Sequence, residues 1–524
     1  MDAAILVIDV NKGIQTQTAE CIVLAEILKL PLIIALNKID LIPENSKQTR
    51  LTKVSNLIKK SLSNTTFKSS PIVHISATQT LDSSQPHTKF IDPLVDAIKL
   101  TIAAFSNQNI NKIGQVSYND DCLLAFDHCF SLKGQGTVMT GTCLKGTLSV
   151  GDSLQVLPIG VQRKVKSIQV FKKSVKSITK GDRAGICLVK IESSDIERGF
   201  LASVNSINKA CACIMPINIV PHYKNTIKSN SQFHISIGYE TVVARITLFA
   251  ASDSNLYPQI SDSNYLLSNE FLAIDEIDPK SNTISENKSS FSNYFVLLDW
   301  KSPVYIPISS TVIASKLDTD LAAGICRLAF YGNPIYLISD KEYPKWSSSS
   351  LNLFRIKEKF GKINRIVDEN NLIGNEMFLN SSVTSFVGFS VDVLNDLNLV
   401  VASGVIEGTF GQGDKFKVRF PRNTDLYKGL TETPGPSSDK TAQINNNQQN
   451  TSKKKGMTTP NLISELPINN VRLDSVETIK NKGKNKSKLP KIDLGSLRLR
   501  IKYRKFINVK SKIDQNKHFT HLYQ

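Results

Sequence analysis

The sequence predicts a multidomain protein in which an α/β region is followed by a larger all-β region. Three observations support this fold class. In residues 1–106 buried strand patterns alternate with helical patterns, and from residue 112 onward short strands and glycine-rich turns dominate. Residues 422–490 have the polar, repetitive composition of a disordered segment. The length of 524 residues is enough for about three to five domains.

The first region has the order βαβαβα. Its strands are continuous apolar runs, which are typical of a parallel sheet covered by helices on both faces. Its helices have apolar residues at helical spacing. The predicted strands are Ala3–Val10, Leu30–Asn37 and Pro71–Ala77, and the predicted helices are Thr16–Lys29, Leu51–Leu62 and Phe90–Phe105.

Three all-β domains are predicted for the rest of the chain. The second domain covers 112–208 and the third covers 209–347, with an insertion at 250–290 that is rich in Ser, Asn and Asp and is interpreted as a loop. The fourth covers 348–524 and contains the low-complexity insertion 422–490. These boundaries follow the changes of pattern along the chain.

A strand with one apolar and one basic face is predicted after the low-complexity segment. Leu497, Leu499, Ile501 and Tyr503 alternate there with basic residues, and a period of two places alternate side chains on opposite faces. We expect this strand to close the last domain. The basic residues that could form a nucleic-acid patch, together with those of the strand near 416, are Lys415, Lys417, Arg419, Arg498, Arg500, Lys502 and Arg504.

Positive charge is concentrated at the C-terminal end. The chain has a formal net charge of +18, and residues 451–524 contain 18 Lys plus Arg against 5 Asp plus Glu, a net +13. A basic region of this kind favours a polyanionic partner, with nucleic acid the first candidate. The alternative for this basic region is a lysine-rich linker that only improves solubility. The alternative for the nucleic-acid patch is an ordinary solvated strand face.

The cysteines and the apolar runs bear on the compartment. None of the eight cysteines forms a CxxC pair, and Cys211 and Cys213 form a CxC that is more simply explained by buried thiols than by a metal site. We find neither a signal peptide nor an apolar run of about 18 residues, so we expect no membrane partner and a cytoplasmic protein with reduced thiols.

The strongest local motif is Asn37-Lys38-Ile39-Asp40, directly after a buried strand. Its chemistry suits guanine, because a carboxylate such as Asp40 can accept hydrogen bonds from both N1–H and the 2-amino group. Asn37 can bond near O6 and N7, and the Lys38 stem can cover the base. A second loop, Ser76-Ala77, follows the next strand, and the Ala77 N–H is the candidate donor to O6.

The phosphate-binding end of such a site is not found in the sequence. A GTP hydrolase needs a GxxxxGK[ST] loop that holds phosphates and Mg²⁺. Neither KGQG (133–136) nor GQGDK (411–415) has this spacing. No catalytic residue can therefore be named, and no protein metal ligand is predicted.

These motifs resemble those of translational GTPases. Among them the sequence is most similar to the selenocysteine-specific elongation factors (SelB/eEFSec). The similarity covers nearly the whole chain except the insertions, and a fourth domain distinguishes this family from relatives of elongation factor Tu, which end after the third. The segments that carry it include IDVNKGIQTQTAECIVLAEIL (8–28), NKIDLIPE (37–44), FDHCFSLKGQGTVMTGTCLKGTLSVGD (126–152), KGDRAGIC (180–187) and GTFGQGDKFKVRFP (408–421).

The resemblance implies a fold and a function. The fold would be a partial P-loop-type G domain, with its N-terminal half missing, followed by three β-barrel domains. The function would be GTP-dependent delivery of selenocysteinyl-tRNA to the ribosome at recoded UGA codons, with GTP and Mg as cofactors. The implied partners are selenocysteinyl-tRNA, the ribosome, a SECIS-binding protein and the SECIS mRNA hairpin.

The resemblance also implies a selenocysteine pocket formed by Asp127, His128 and Arg183. A selenol is largely ionised at neutral pH, so cationic side chains would favour the selenolate over the uncharged serine on the same tRNA. Without the resemblance, an ordinary pair on a barrel strand and a turn with a surface salt bridge would explain these residues.

The missing motifs lead to two expectations. We expect the chain, which looks like a truncated family member, not to hydrolyse GTP, and its first strand to expose an unpaired apolar edge. The alternative to a full carrier is a truncated, non-catalytic RNA-binding module that has lost GTP hydrolysis. A third candidate, another translational GTPase, is disfavoured by the fourth domain and by the GDR segment at 181–183.

Overall fold

A computed structural model forms two compact units. The first comprises 1–356 with 504–512 and 518–524, and the second comprises 357–503 with 513–517. The residues that the structure describes are 3–78, 91–109, 121–132, 136–189, 191, 196–207, 209–251, 266, 268–280, 293–307, 310–318, 326–344, 346, 351–378, 382–411, 414–421, 494–507 and 513–514.

The α/β region has the predicted order of elements. Three parallel strands form a sheet in the order β1-β2-β3, and the register places Asp9 of the first strand opposite Asn37 of the second. The elements are β1 (Ala4–Asp9), α1 (Thr16–Ile27), β2 (Leu32–Asn37), α2 (Glu44–Leu62), β3 (Ile72–His74) and α3 (Asp92–Asn109).

Two details of this region bear on the sequence predictions. Helix α2 begins at Glu44, seven residues before the predicted start, because its first two turns are polar and carry no apolar periodicity. Within the described residues β1 pairs with β2 alone, and Ile5 and Val7 are 45% and 57% exposed, as expected of an apolar edge strand.

The second domain is a closed sheet. Its strands follow the order β11-β5-β4-β12-β7-β8-β9, and pairing of β11 with β8 closes the barrel around Leu124, Met139 and Ile186. A two-stranded ribbon of β6 and β10 lies beside it. The strands are β4 (Leu123–Leu132), β5 (Gly136–Lys145), β6 (Thr147–Ser149), β7 (Ser153–Leu157), β8 (Val161–Val170), β9 (Lys173–Val175), β10 (Ser177–Thr179), β11 (Arg183–Leu188) and β12 (Gly199–Ser203).

The third domain is also an antiparallel β structure. Its core contains Phe233 and Phe330, which meet edge to face at 5.3 Å. Its strands are β13 (Lys209–Pro216), β14 (Asn218–Ile219), β15 (Ile227–Lys228), β16 (Gln232–Ile237), β17 (Glu240–Ala251), β18 (Glu270–Ile274), β19 (Glu276–Ile277), β20 (Asn293–Tyr305), β21 (Val312–Ser315), β22 (Leu328–Gly332) and β23 (Tyr336–Ser339).

The interpretation of 250–290 as a loop is wrong for part of that segment. Strand β18 pairs with β17, and Phe271 is fully buried against Phe249. A short apolar run within a polar surrounding was enough to form this strand. The remainder of the segment, 252–265, 267 and 281–290, lies outside the described residues.

The second unit is a ring of strands. The order is β24-β25-β28-β27-β26-β29, and β29 pairs with β24 as well, which makes a closed barrel. The strands are β24 (Asn352–Asp368), β25 (Asn371–Asn375), β26 (Ser390–Leu394), β27 (Val400–Thr409), β28 (Phe416–Arg419), β29 (Arg498–Phe506) and the short β30 (Ile513–Asp514).

The predicted fourth domain, 348–524, overlaps the second unit, which comprises 357–503 with 513–517. Strand β24 starts before Lys357, and β29 continues past Tyr503. The predicted insertion 422–490 lies outside the described residues.

The thiols and helices agree with the composition in most respects. None of the eight cysteines, all of which lie in the described part of the chain, forms a disulfide. Cys211 and Cys213 are buried in β13 as expected, whereas Cys21 is exposed. Among the described residues, no helix is both long and apolar enough to cross a membrane.

Candidate functional site

The guanine motif lies where β2 and β3 end. Lys38 follows β2 in the left-handed conformation with φ 68°, and this turn places Asp40 in a short 3-10 helix, Ile39–Leu41. Parallel strands bring their carboxyl ends to one edge of a sheet, which is where ligands bind in open α/β folds. The structure places Asn37, Lys38, Asp40, Ser76 and Ala77 together at this edge.

Hydrogen bonds hold this edge in place. Asn37 Oδ1 accepts from Lys38 N at 2.8 Å and from Ala77 N at 3.1 Å. The fully buried Ser76 donates its hydroxyl to Asp40 Oδ1 at 2.5 Å. The Ala77 N–H that was the candidate donor to O6 thus has Asn37 as its partner here, and it would have to share that hydrogen atom with a bound base.

Asp9 belongs to the same site and was missed in the sequence. Its Oδ2 lies 2.9 Å from Lys38 Nζ. The hydrogen bond from Lys38, followed by that from the backbone of Asn11, lowers the pKa of Asp9 below its ordinary value. Its position could have been found from the parallel register, since Asp9 is the residue opposite Asn37.

The second barrel brings Asp127 and Arg183 together. Asp127 sits at a β-bulge in β4, where the register shifts between Phe126 and His128. Arg183 begins β11, and its Nη2 donates to both Asp127 oxygens at 2.9 and 2.8 Å. Close packing at the bulge requires Gly141, because a Cβ there would lie 2.2 Å from Ala125 O.

The pair is open to ligands. The Arg183 and Asp127 side chains are 54% and 52% exposed. Partial burial alone would raise the pKa of Asp127, but the Arg183 hydrogen bond and charge outweigh it, and the pKa is lowered. His128 adds a smaller effect in the same direction, so its imidazole lies near enough to act on the pair.

A cavity of about 320 Å³ adjoins Arg183 and was not predicted. Phe171 and Lys172 line it from the two-residue turn between β8 and β9, and both have positive φ, 47° and 66°. Such a turn favours Asn and Gly, and a strained aromatic residue points to a functional role. Phe171 is 91% exposed. Its signal in the sequence is a hairpin turn that lacks Gly and Asn.

The predicted basic patch divides into paired and unpaired side chains. Lys417 and Arg419 both approach Glu407, at 2.8 and 3.2 Å, and these contacts lower the pKa of Glu407. Arg500 pairs with Asp392 at 3.0 Å and Lys502 with Glu358 at 3.0 Å, and no ion pair involves Lys415 or Arg498 within the described residues. The two basic strands share the ring but are separated in it by β27 and β26.

Arg504 does not fit the predicted patch. Its side chain is 7% exposed, pairs with Glu270 and lies over the rings of Phe354 and Phe506 at 5.1 and 5.9 Å. The alternation of β29 continues through Arg504, but packing has buried this last basic residue. The prediction of Arg504 as a nucleic-acid contact is therefore wrong.

Four family models match successive parts of the chain. The regions are 1–104, Elongation factor Tu GTP binding domain; 136–202, Elongation factor Tu domain 2; 214–332, the third domain of eukaryotic selenocysteine-specific elongation factor; and 349–464, the eEFSec C-terminal RIFT domain.

Individual relatives agree with these models. A selenocysteine-specific elongation factor from Mus musculus is 34% identical over 438 residues, which cover 80% of this chain and 73% of the relative. One from Methanocaldococcus jannaschii is 35% identical over 249 residues, 47% of this chain and 49% of the relative. The crystal structure of SelB from Methanococcus maripaludis with the GTP analogue GPPNHP is similar in fold, with a TM-score of 0.59, 24% identity and coverage of 81% of this chain and 82% of that chain.

The guanine-type edge, with the second barrel that follows it, defines a translation factor of the elongation factor Tu class. The third- and fourth-domain matches are specific within that class. The chain belongs to the selenocysteine-specific elongation factor family. The predicted fold class, a G-domain portion with β-barrel domains, and the function in selenocysteine-specific translation elongation are confirmed.

Proposed function

We propose that this chain recognises the aminoacyl end of selenocysteinyl-tRNA in the second barrel, at Asp127, His128 and Arg183. The observation that carries the proposal is the exposed Arg183–Asp127 pair, whose Arg183 also lines a cavity. An exposed ion pair can exchange one carboxylate oxygen for a ligand anion at small cost, because water already screens it.

Charge distinguishes the correct amino acid from its precursor. A selenolate carries a negative charge that Arg183 attracts, with His128 next to Asp127 in the chain, whereas a serine hydroxyl offers only a neutral hydrogen bond. Charge-assisted hydrogen bonds are roughly twice as strong as neutral ones. Asp127 accepts two hydrogen bonds from the guanidinium and so competes with other anions for it.

The adjoining cavity suits the nucleoside that carries the amino acid. The aminoacyl ester is attached to the terminal ribose, so the last base must lie close to the side-chain pocket. Phe171 offers an exposed aromatic face and Lys172 a cation in that cavity. Stacking of a base on an aromatic ring contributes about 1–3 kcal/mol.

The edge formed by Asn37, Lys38, Asp40, Ser76 and Ala77 is proposed to read the guanine of GTP. Its fixed acceptors and buried hydroxyl fit a base that offers two adjacent donors. Mg²⁺ would accompany the phosphates and neutralise their charge. Among the described residues, no group of three or more His, Cys, Asp or Glu side chains is arranged to hold a metal ion.

The wider partners remain part of the proposal. We expect selenocysteinyl-tRNA and the ribosome as partners, with a SECIS-binding protein and the SECIS mRNA hairpin at the fourth domain, in the cytoplasm. The basic side chains without described ion pairs, Lys415 and Arg498, are the candidates for phosphate contacts in that domain.

Binding of aminoacyl-tRNAs to the full chain tests the site. Arg183→Ala should weaken selenocysteinyl-tRNA binding by about tenfold and leave seryl-tRNA binding nearly unchanged, since a charge-assisted hydrogen bond contributes about 1.5–3 kcal/mol. Arg163→Ala, at an arginine of the same barrel that does not line the cavity, is the control. Equal losses for both tRNAs would contradict the charge-based mechanism.

The alternative of a non-catalytic RNA-binding module makes a different prediction for the same assay. In that case tRNA affinity would be equal with GTP, with GDP and without nucleotide. A carrier that uses GTP should bind selenocysteinyl-tRNA more tightly with GTP. Asp40→Asn should remove that difference, because the amide replaces one acceptor oxygen with an NH2 donor, which would face one of the two donors of guanine.

A further inference from the structure

A second groove lies on the α/β region, beside the guanine edge, because its loop starts directly after Asp9. It has a volume of about 700 Å³ and runs between α2 and the loop that follows β1. The loop contributes Val10 to Ile14, and the helix contributes residues from Ser46 to Ser61. Nothing in the proposed chemistry of selenocysteine or guanine recognition uses this groove.

The length of the groove favours a chain segment as its occupant. Ser46, Arg50, Val54, Leu57 and Ser61 recur at helical spacing, so a single face of α2 lines it throughout. Fifteen steps at 1.5 Å give a length of about 22 Å. This is the length of a helical peptide of about 15 residues.

The charge around the groove is one-sided. Lys12, Arg50 and Lys53 are exposed at its rim, and no Asp or Glu is found among the described residues that line it. No ion pair involves these three cations within the described part of the chain. The rim therefore attracts an acidic partner.

The floor of the groove is apolar. Val54 is half-buried, Ile58 is buried and Leu57 is 57% exposed, with Ile14 on the facing loop. No aromatic residue is among the described lining residues, so stacking of bases, the main contact with unpaired nucleotides, is not provided. Apolar anchors beneath a basic rim match a helix with leucine-like and acidic faces.

We propose that this groove binds an acidic amphipathic peptide segment of a partner protein. The apolar side chains of that segment pack on Val54, Leu57 and Ile58. Its carboxylates face Lys12, Arg50 and Lys53. None of the described residues that line the groove belongs to the proposed selenocysteine pocket or to the proposed guanine contacts.

A peptide selection on the full chain tests the proposal. A display library of random peptides of about 15 residues is selected on the wild-type chain and on the Lys12→Glu, Arg50→Glu, Lys53→Glu triple variant. The wild type should enrich acidic peptides with apolar residues at positions i, i+3, i+4 and i+7, and the triple variant should not. Enrichment of no peptide, or of the same peptides by both chains, would overturn the proposal.

Affinity measurements locate the site. Fluorescence anisotropy of one enriched peptide should show at least a tenfold loss for the triple variant and about a fivefold loss for Leu57→Ser. The matched control, Lys59→Glu with Lys60→Glu, changes the same helix outside the groove and should alter affinity less than about twofold. Equal losses in the control and the triple variant would overturn the proposal. Displacement of the peptide by a single-stranded RNA, lost in the triple variant, would show an RNA site instead.

Discussion

Arg183 and Arg504 each form an ion pair between a guanidinium and a carboxylate, in two different regions of the chain. The two ion pairs have different roles. Arg183 bonds both oxygens of Asp127 at the surface of the second barrel, where its side chain is 54% exposed. Arg504 pairs with Glu270, is 7% exposed, and lies over the rings of Phe354 and Phe506. Exposure decides which of the two guanidinium groups is available to a ligand.

The difference is one of desolvation. A buried pair is held because each charge would be costly without the other, so breaking it is strongly destabilising. An exposed pair contributes about 0–1 kcal/mol and can open to admit an anion. Arg183 is thus suited to recognition, and Arg504 fastens the end of β29 to the third domain.

Arg504→Ala should produce the largest effect on stability. Loss of the buried guanidinium leaves Glu270 without its main cation and removes packing from two aromatic rings. We expect about 3 kcal/mol of destabilisation. Urea unfolding followed by tryptophan fluorescence measures the free energy of unfolding. The signal reports on the third domain, because Trp300 and Trp346, the two tryptophans of the chain, both lie there.

Arg498→Ala is the matched control for this prediction. Arg498 lies on the same strand but is exposed, and its removal should change stability by less than about 0.5 kcal/mol. Similar midpoints for both variants would show that burial does not separate the two kinds of arginine.

In a third ion pair, Glu20 with Arg327, the arginine side chain is 20% exposed, which lies between the exposures of Arg504 and Arg183. The pair joins α1 to the third domain through two hydrogen bonds of 2.9 and 2.7 Å, with side chains 14% and 20% exposed. Glu20→Gln should cost about 1–2 kcal/mol at neutral pH, less than the Arg504 change. Urea unfolding at pH 7 measures it, with Glu44→Gln, an 84% exposed residue, as the control.

The pH dependence of this pair has a defined direction. The hydrogen bond from Arg327 lowers the pKa of Glu20 below the ordinary value of 4.5. Its stabilisation is complete above about pH 4.5 and is lost as the pH falls through the lower, folded value. The wild type and Glu20→Gln should therefore converge in stability toward pH 3. A difference that persists there would exclude the charge of Glu20 as the cause.

Local patterns predicted much of this fold and less of the site. The order βαβαβα, the guanine edge and the apolar face of β29 follow from periodicity and from a motif next to a strand. Asp9 could not be assigned without the register of β1 and β2. The burial of Arg504 and the strained turn at Phe171 depend on tertiary packing, which no local pattern encodes.

Asp127→Asn should change ligand affinity rather than stability. Without its carboxylate, Arg183 keeps its full charge for the selenolate, so selenocysteinyl-tRNA should bind about threefold more tightly. Seryl-tRNA should bind as before. Filter binding with both tRNAs measures the change, and Asp182→Asn, whose side chain bonds the turn at Thr179, is the neighbouring control. A weaker affinity would mean that Asp127 acts mainly by orienting Arg183.

Glu407→Gln should produce the smallest change of these variants. It tests ion pairs whose cationic side chains are exposed. Glu407 forms ion pairs with both Lys417 and Arg419, whose side chains are 37% and 68% exposed. Without Glu407, the two cations are available to phosphates, and the affinity for single-stranded RNA should rise about twofold. Each new phosphate contact also adds about 0.7 to the slope of log affinity against log salt concentration, so the salt dependence should become steeper. Glu369→Gln, an exposed change on the same unit, controls for net charge alone. An equal response in both variants would mean that RNA senses only overall charge, and that ion pairing in the second unit does not restrict these two cations.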